Sequence, residues 1–312
     1  MKNKNIIITG GAGFIGTNIA RTLADDNNVT VIDDLSTGKI ENIQDLINEN
    51  KIKFIKGSIT DLDLLKKSFK NVDYVFHQAA LASVPQSFED PVKTNNINLN
   101  GTVNVLIASR DNNVEKVVWA SSCAVYGDNT DLPLKETSST NPLSPYAATK
   151  LAGELYANIF SNVYNLPIVS LRYFNVYGPW QNPHGDYAAV IPLFISKILD
   201  DQPLIVYGDG KQTRDFIFVE DVVRANIFFA EKAEKGVFNI GCGVKTSINE
   251  IAKMILKISN KNDTEIIYKE KREGDIKDSF SDISKMKKTG FKPEYSLEAG
   301  IRKTYNWFKE HY

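Results

Sequence analysis

Tyr146 and Lys150 stand four residues apart in the run Tyr146-Ala147-Ala148-Thr149-Lys150. On a helix that spacing puts both side chains on one face. A free phenol ionises near pH ~10 and is a poor base at neutral pH, but an ammonium beside it favours the phenolate. A tyrosine so placed can take the proton of a hydroxyl while the same carbon is oxidised. The pair alone is common by chance. Ser121-Ser122, closing an apolar run upstream, adds a hydroxyl able to bond both the reacting oxygen and the tyrosine.

A second constellation supplies what such an oxidation needs. The run Thr9-Gly10-Gly11-Ala12-Gly13-Phe14-Ile15-Gly16 follows an apolar strand and opens a helical pattern. In that context Gly10 permits a tight turn, Gly13 a close backbone approach to a pyrophosphate, and Gly16 close helix–strand packing. The phosphates then meet the free N–H groups of the helix N-terminus around Phe14 and Ile15. Asp33 closes the next strand, where a carboxylate accepts from the adenosine ribose hydroxyls and repels a 2′-phosphate, so NAD is expected over NADP.

The elements that must hold these groups alternate. Apolar runs predict strands over 5–9, 29–33, 53–56, 74–77, 116–120 and 168–174, with helical periodicity over 14–25, 62–69, 95–110 and 146–164 between them. This is the pattern of a Rossmann α/β fold, a doubly wound parallel sheet with helices on both faces. The second half is punctuated by proline and glycine. A strand is expected over 204–207 and helices over 221–232, 248–258 and 297–308. We expect an NAD-binding domain of 1–178 with 211–238, and a smaller α+β substrate-binding domain of 179–210 and 239–312.

Composition narrows the function by exclusion. The 312 residues carry 42% hydrophobic and 24% charged residues and a net charge of -1, which gives no global pull toward nucleic acid or membrane. Two cysteines, Cys123 and Cys242, and three histidines, His77, His184 and His311, form no metal or disulfide pattern. No stretch reaches the length of a membrane span, and a cytoplasmic setting is expected. Cys123 beside Ser122 has no histidine placed to activate it and reads as packing. Lys285-Met286-Lys287-Lys288 reads as a solvated helix face.

With these residues in view, the chain resembles the extended short-chain dehydrogenase/reductase family, and within it the UDP-sugar 4-epimerases. The matching runs are 9–16, 77–83, 121–127, 146–150, 171–178 and 272–282. The resemblance implies that Tyr146 is the base, that Lys150 tunes it and holds the nicotinamide ribose, and that Ser122 is the catalytic hydroxyl. It implies that Asn98 and Tyr173 line the cofactor. It further implies that Ser83, Asn175, Ala189, Val190, Arg214, Arg272, Asp275 and Ser279 contact a UDP-sugar, with arginine suited to phosphate. A homodimer through the 95–110 and 146–164 helices is also implied.

Two departures stand out. Ser58 replaces an aspartate that relatives place against the adenine, with Asp61 a candidate substitute. Ala82 stands where some glucose/galactose epimerases place lysine. A 4,6-dehydratase would need an acid–base pair after Ser122, where Cys123-Ala124 stand. The resemblance therefore implies oxidation at C4 to a 4-keto sugar and re-reduction from its other face. UDP-N-acetylglucosamine and UDP-N-acetylgalactosamine are the expected pair, because Ser279 is small where a tyrosine would exclude an acetamido group. The alternatives are UDP-glucose 4-epimerisation, then UDP-glucuronate epimerisation or decarboxylation. A non-enzymatic dinucleotide-binding protein is a third class, against which the intact Ser122, Tyr146 and Lys150 speak.

Overall fold

The computed structural model describes residues 1–184, 188–271 and 276–311. In chain order its first elements are β1 (Asn5–Thr9), α1 (Phe14–Leu23), β2 (Asn28–Asp33), α2 (Gln44–Asn48), β3 (Ile52–Lys56), α3 (Leu62–Ser68) and β4 (Tyr74–His77). Then come α4 (Val84–Glu89), α5 (Pro91–Asn95), a π-helical stretch Asn96–Asn100, α6 (Gly101–Asp111), β5 (Lys116–Ser122), α7 (Pro145–Val163) and β6 (Ile168–Tyr173). The rest are β7 (Asn175–Tyr177), α8 (Val190–Leu199), β8 (Leu204–Tyr207), β9 (Thr213–Arg214), β10 (Phe216–Phe218), α9 (Val219–Glu231), β11 (Gly236–Ile240), β12 (Thr246–Ser247), α10 (Ile248–Ser259), β13 (Ile266–Lys269), α11 (Ser284–Lys288) and α12 (Leu297–His311).

The chain forms two compact units. The first comprises 1–127, 140–173 and 223–238, and the second 128–139, 174–222 and 239–312. These bounds differ from the expected ones. The strand expected over 168–174 stops at Tyr173, and Asn175–Tyr177 pairs with β10 in a separate two-stranded sheet. The segment expected to join the second unit at 179 thus joins it at 174, and 128–139 belongs to it as well.

In the first unit the sheet order is β11-β6-β5-β4-β1-β2-β3. From β3 to β6 each neighbouring pair runs parallel, the 3-2-1-4-5-6 order of a dinucleotide-binding fold. The order reverses between β1 and β4, which puts a crevice at the carboxyl ends of those strands. Ile6, Ile7 and Ile8 are buried, as expected of a strand covered on both faces. On α1 the buried Gly16, Thr17, Ile19, Ala20 and Leu23 form one helical stripe. On α7 the buried stripe includes two charged residues, Lys150 and Glu154, beside Gly153 and Ala157. A Cβ on Gly153 would stand 2.4 Å from the Trp119 ring, so the helix lies flat on β5.

Among its described residues the second unit holds three two-stranded sheets, β10-β7, β12-β9 and β13-β8. In α11 the lysines of 285–288 form the solvated face and Met286 between them is fully buried on the other. Among the described residues, no helix is long and apolar enough to cross a membrane.

Candidate active site

A cleft of about 250 Å³ opens in the first unit, lined by Gly10, Gly13, Phe14, Ile15 and Gly16 at the start of α1. Gly10 adopts φ +71°, and its N–H donates to Ile32 O at 2.8 Å. A side chain there would meet the Ala79 backbone at 2.6 Å. No side chain caps α1, and its first turn contains no acidic residue. The N–H groups at its start therefore remain available to an anion. Asp33 is buried and accepts from Ala12 N at 3.0 Å and Leu35 N at 2.8 Å. Burial pushes its carboxyl up, against those two bonds. Its oxygens are thus oriented by backbone donors within the cleft, as a ribose diol requires.

Further along, the cleft is lined by Ala120, Ser121, Tyr146, Lys150 and Tyr173. The Lys150 ammonium donates to Ala120 O at 2.7 Å and lies 5.8 Å from the centre of the Tyr146 ring. The Tyr146 hydroxyl is hydrogen-bonded to Ser122. Ser122 Oγ also accepts from Ala124 N at 3.1 Å, which fixes it at the end of β5. Burial pushes the Tyr146 phenol up to about 12, with the Ser122 bond opposing. Burial likewise pushes Lys150 down to about 8. The spacing of Tyr146 and Lys150 shows the ammonium that favours the phenolate but not the burial, which raises the phenol here. The positive nicotinamide ring of NAD⁺ is the further charge that would favour the phenolate.

Asn98 is placed differently from expectation. It sits in the π-helical stretch, buried, and Ile97 faces the cleft instead. Asn98 accepts from Leu81 N at 2.7 Å and donates to Leu81 O at 3.1 Å and Thr149 Oγ1 at 3.2 Å. It pins the cleft-lining segment 79–82 against α7. Ser83 caps α4, accepting from Gln86 N. Ser58 lines the cleft, whereas Asp61 caps α3 through Leu64 N at 2.9 Å. Gln78, Ser36 and Thr37 line the cleft and were not anticipated. Gln78 lies 3.3 Å from the Tyr173 hydroxyl, which donates to Asn226 at 2.9 Å. Its signal was its place beside His77 at a strand end.

The second unit has its own pocket of about 260 Å³. It gathers four of the expected substrate residues, Asn175, Ala189, Val190 and Arg214, and adds Tyr207 and Gln212. Arg214 donates to Thr213 O at 2.8 Å, and Asn175 to Asp215 O at 3.1 Å. Ser279 donates its backbone N–H to Thr213 O at 3.1 Å, beside Arg214 in sequence, but is not among the residues lining this pocket. Arg272 and Asp275 lie outside the described residues.

Glycine turn, strand-end carboxylate and buried hydroxyl–phenol–ammonium row together define a dinucleotide-dependent enzyme that oxidises an alcohol carbon. The chain belongs to the NAD dependent epimerase/dehydratase family, which it matches over residues 6–241. It is 40% identical over 309 residues to the UDP-glucose 4-epimerase of Mycolicibacterium smegmatis, covering 97% of this chain and 98% of that one. It superimposes with a TM-score of 0.97 and 46% identity on a UDP-N-acetylglucosamine 4-epimerase from Methanobrevibacter ruminantium M1 in complex with UDP-N-acetylmuramic acid, each chain covered fully (100%). The UDP-glucose 4-epimerase of Thermotoga maritima with UDP-glucose gives a TM-score of 0.93 and 37% identity, over 98% of this chain and 99% of that one.

Proposed function

We propose that this NAD-dependent UDP-hexose 4-epimerase interconverts UDP-N-acetylglucosamine and UDP-N-acetylgalactosamine, with UDP-glucose and UDP-galactose as a lesser pair. Bound NAD supplies reversible oxidation at C4 of the sugar. Tyr146 takes the proton of the C4 hydroxyl and returns it, while Ser122, bonded to Tyr146, steadies the same oxygen. Lys150 contributes positive charge beside the phenol. Asn175 and Arg214, with Arg272 and Asp275, hold the UDP moiety, arginine pairing with phosphate oxygens.

The choice of sugar is carried by Ser279, a small residue where bulk would exclude an acetamido group. The Methanobrevibacter neighbour's name favours the same pair. The names of the Mycolicibacterium and Thermotoga proteins favour glucose as the second reading. Ser279→Tyr separates them, since steric exclusion is a repulsive element of specificity. We expect kcat/KM to fall by about tenfold or more on the acetamido pair, the scale of a pocket clash, and by much less on the plain hexoses. Equal losses on both pairs would remove the basis for this choice.

We further propose that a second copy of the chain covers α4, α5 and α7. Phe88, Val92, Leu155, Ile159 and Val163 stand 47–79% exposed there. Exposed apolar side chains grouped on neighbouring helices mark an interaction surface more often than single scattered ones do.

A further inference from the structure

One buried ion pair has no part in the chemistry above. Glu154 lies four residues past Lys150 on the core-facing stripe of α7. Charged side chains are rarely buried so fully unless paired. Arg172 on β6 donates to both of its oxygens, Nε to Oε1 at 2.8 Å and Nη2 to Oε2 at 2.6 Å. Ser121 on β5 donates to Oε1 at 2.5 Å. The Glu154 and Arg172 side chains are each 5% exposed, and the guanidinium stands 4.7 Å over the Tyr126 ring. One carboxylate thereby ties α7 to the carboxyl ends of β5 and β6. Those elements carry Tyr146 and Lys150, Ser122, and Tyr173. Stability is a weak account of such a pair, because apolar replacements of similar volume often hold a core as well or better.

We propose that Glu154 is a positioning residue for the epimerisation: oriented by Arg172 and Ser121, its carboxylate locks the ends of β5 and β6 to α7 and keeps the Lys150 ammonium charged beside Tyr146. The proposal rests on the reading of Tyr146 as base and Lys150 as its ammonium, whichever sugar is preferred. The titratable and charged groups around Tyr146 and Lys150 are Glu154 on α7, His77 on β4, Cys123 after β5 and Arg172 on β6, with Tyr126 hydrogen-bonded to Arg172. His77 is fully buried and neutral, held near 3 by burial. Arg172 is committed to the carboxylate. Glu154 is the group whose charge opposes the burial that lowers Lys150.

The test compares Glu154→Gln, Glu154→Asp and Arg172→Gln as NAD-loaded enzymes, with turnover per bound NAD followed against pH on UDP-glucose and UDP-N-acetylglucosamine. Glu154→Gln removes the negative charge. Its kcat should fall about tenfold to a hundredfold, the cost of a misplaced reacting group, with KM changed by less than about threefold. The alkaline limb, set by loss of the ammonium proton, should move to lower pH. Arg172→Gln leaves the carboxylate unneutralised and should move that limb to higher pH. Glu154→Asp, keeping the charge, should recover part of kcat and a limb near wild type. A merely structural role would lower the melting temperature and leave the limb of the folded molecules in place. An unmoved limb, or shifts in the same direction in both neutral variants, overturns the proposal. If one variant does not fold, the direction in the other decides. Tyr146→Phe, run alongside, distinguishes the two ideas: its inactivity together with wild-type profiles in the Glu154 and Arg172 variants would retain the base and discard the clamp.

Discussion

Gly13→Ala and Gly16→Ala should fail for different reasons, and the difference tests the cofactor site. At Gly16 an added Cβ would stand 2.1 Å from Gly10 O and 2.7 Å from Gly11 Cα, both backbone atoms. Ordinary carbon contacts lie near 3.5–4.0 Å, so α1 would have to lift from β1 by more than about 1 Å. Overpacking of this kind costs about 1–3 kcal/mol, and rigid backbone puts it at the upper end. A fall in melting temperature on the order of 5–10 °C should follow, together with loss of NAD. At Gly13 the sole close neighbour is Gly10 O at 3.3 Å, and φ -83°, ψ 177° is open to alanine. The stripped protein should therefore melt within about 2 °C of wild type. The new methyl would nevertheless stand where a pyrophosphate approaches the helix N-terminus. Loss of one charge-assisted bond, worth about 1.5–3 kcal/mol, should weaken NAD by about tenfold to a hundredfold. NAD released by acid per chain, with melting curves of stripped protein, reads both. A Gly13→Ala protein purified with full NAD, or a Gly16→Ala protein that melts like wild type, would refute the placement of the pyrophosphate.

Tyr146→Phe removes the phenol but keeps the buried ring, so melting should hardly change while kcat falls by about two to four orders of magnitude. Near-normal turnover would exclude Tyr146 as the base. His77 bonds Thr9 Oγ1 at 2.7 Å and Thr102 Oγ1 at 3.0 Å, and burial lowers it from 6.5 to about 3. The unfolded chain then binds the extra proton first, so stability is full above about pH 6.5 and is lost by about 1.4 kcal/mol per pH unit as pH falls toward 3. Denaturant midpoints against pH should show this slope, and His77→Gln should flatten it. Leu155→Asp puts a charge on the exposed face of α7 and should yield monomers in sedimentation velocity; wild-type protein sedimenting as a monomer would discard the dimer.

Most of the first unit was legible in the sequence because its signals are local. Ile6-Ile7-Ile8, the glycine run and Asp33 lie within one β-α-β stretch, and β1 and β4 fall where periodicity puts them. Errors arose where tertiary context overrides periodicity. One helix was expected over 95–110, but a π-helical stretch separates Pro91–Asn95 from Gly101–Asp111 and carries Asn98 inward. The effect of burial on Tyr146 was likewise invisible, because sequence shows the ammonium four residues away and not the water that is excluded. Glu154 left a readable trace: it falls on the same helical stripe as Gly153 and Ala157, where a carboxylate needs a buried partner.

The second unit was less legible because its walls are assembled from distant segments. Asp215 is fully buried and accepts from Cys242 N at 2.8 Å, Gly243 N at 2.9 Å, Ser281 N at 3.1 Å and Ser281 Oγ at 2.5 Å. Thr213 Oγ1 donates to Asp278 at 2.5 Å, and Ser279 N to Thr213 O. A single aspartate next to Arg214 thus organises the loop after β11 and the segment bearing Ser279. No periodicity or spacing announces such a hub, since its partners are neighbours only after folding. In sequence, Asp215 is one acid among many; in the structure four donors converge on it, which is how a buried carboxylate is tolerated. The carboxylate at 215 fixes where the segment bearing Ser279 stands, through contacts that no local reading of 272–282 contains.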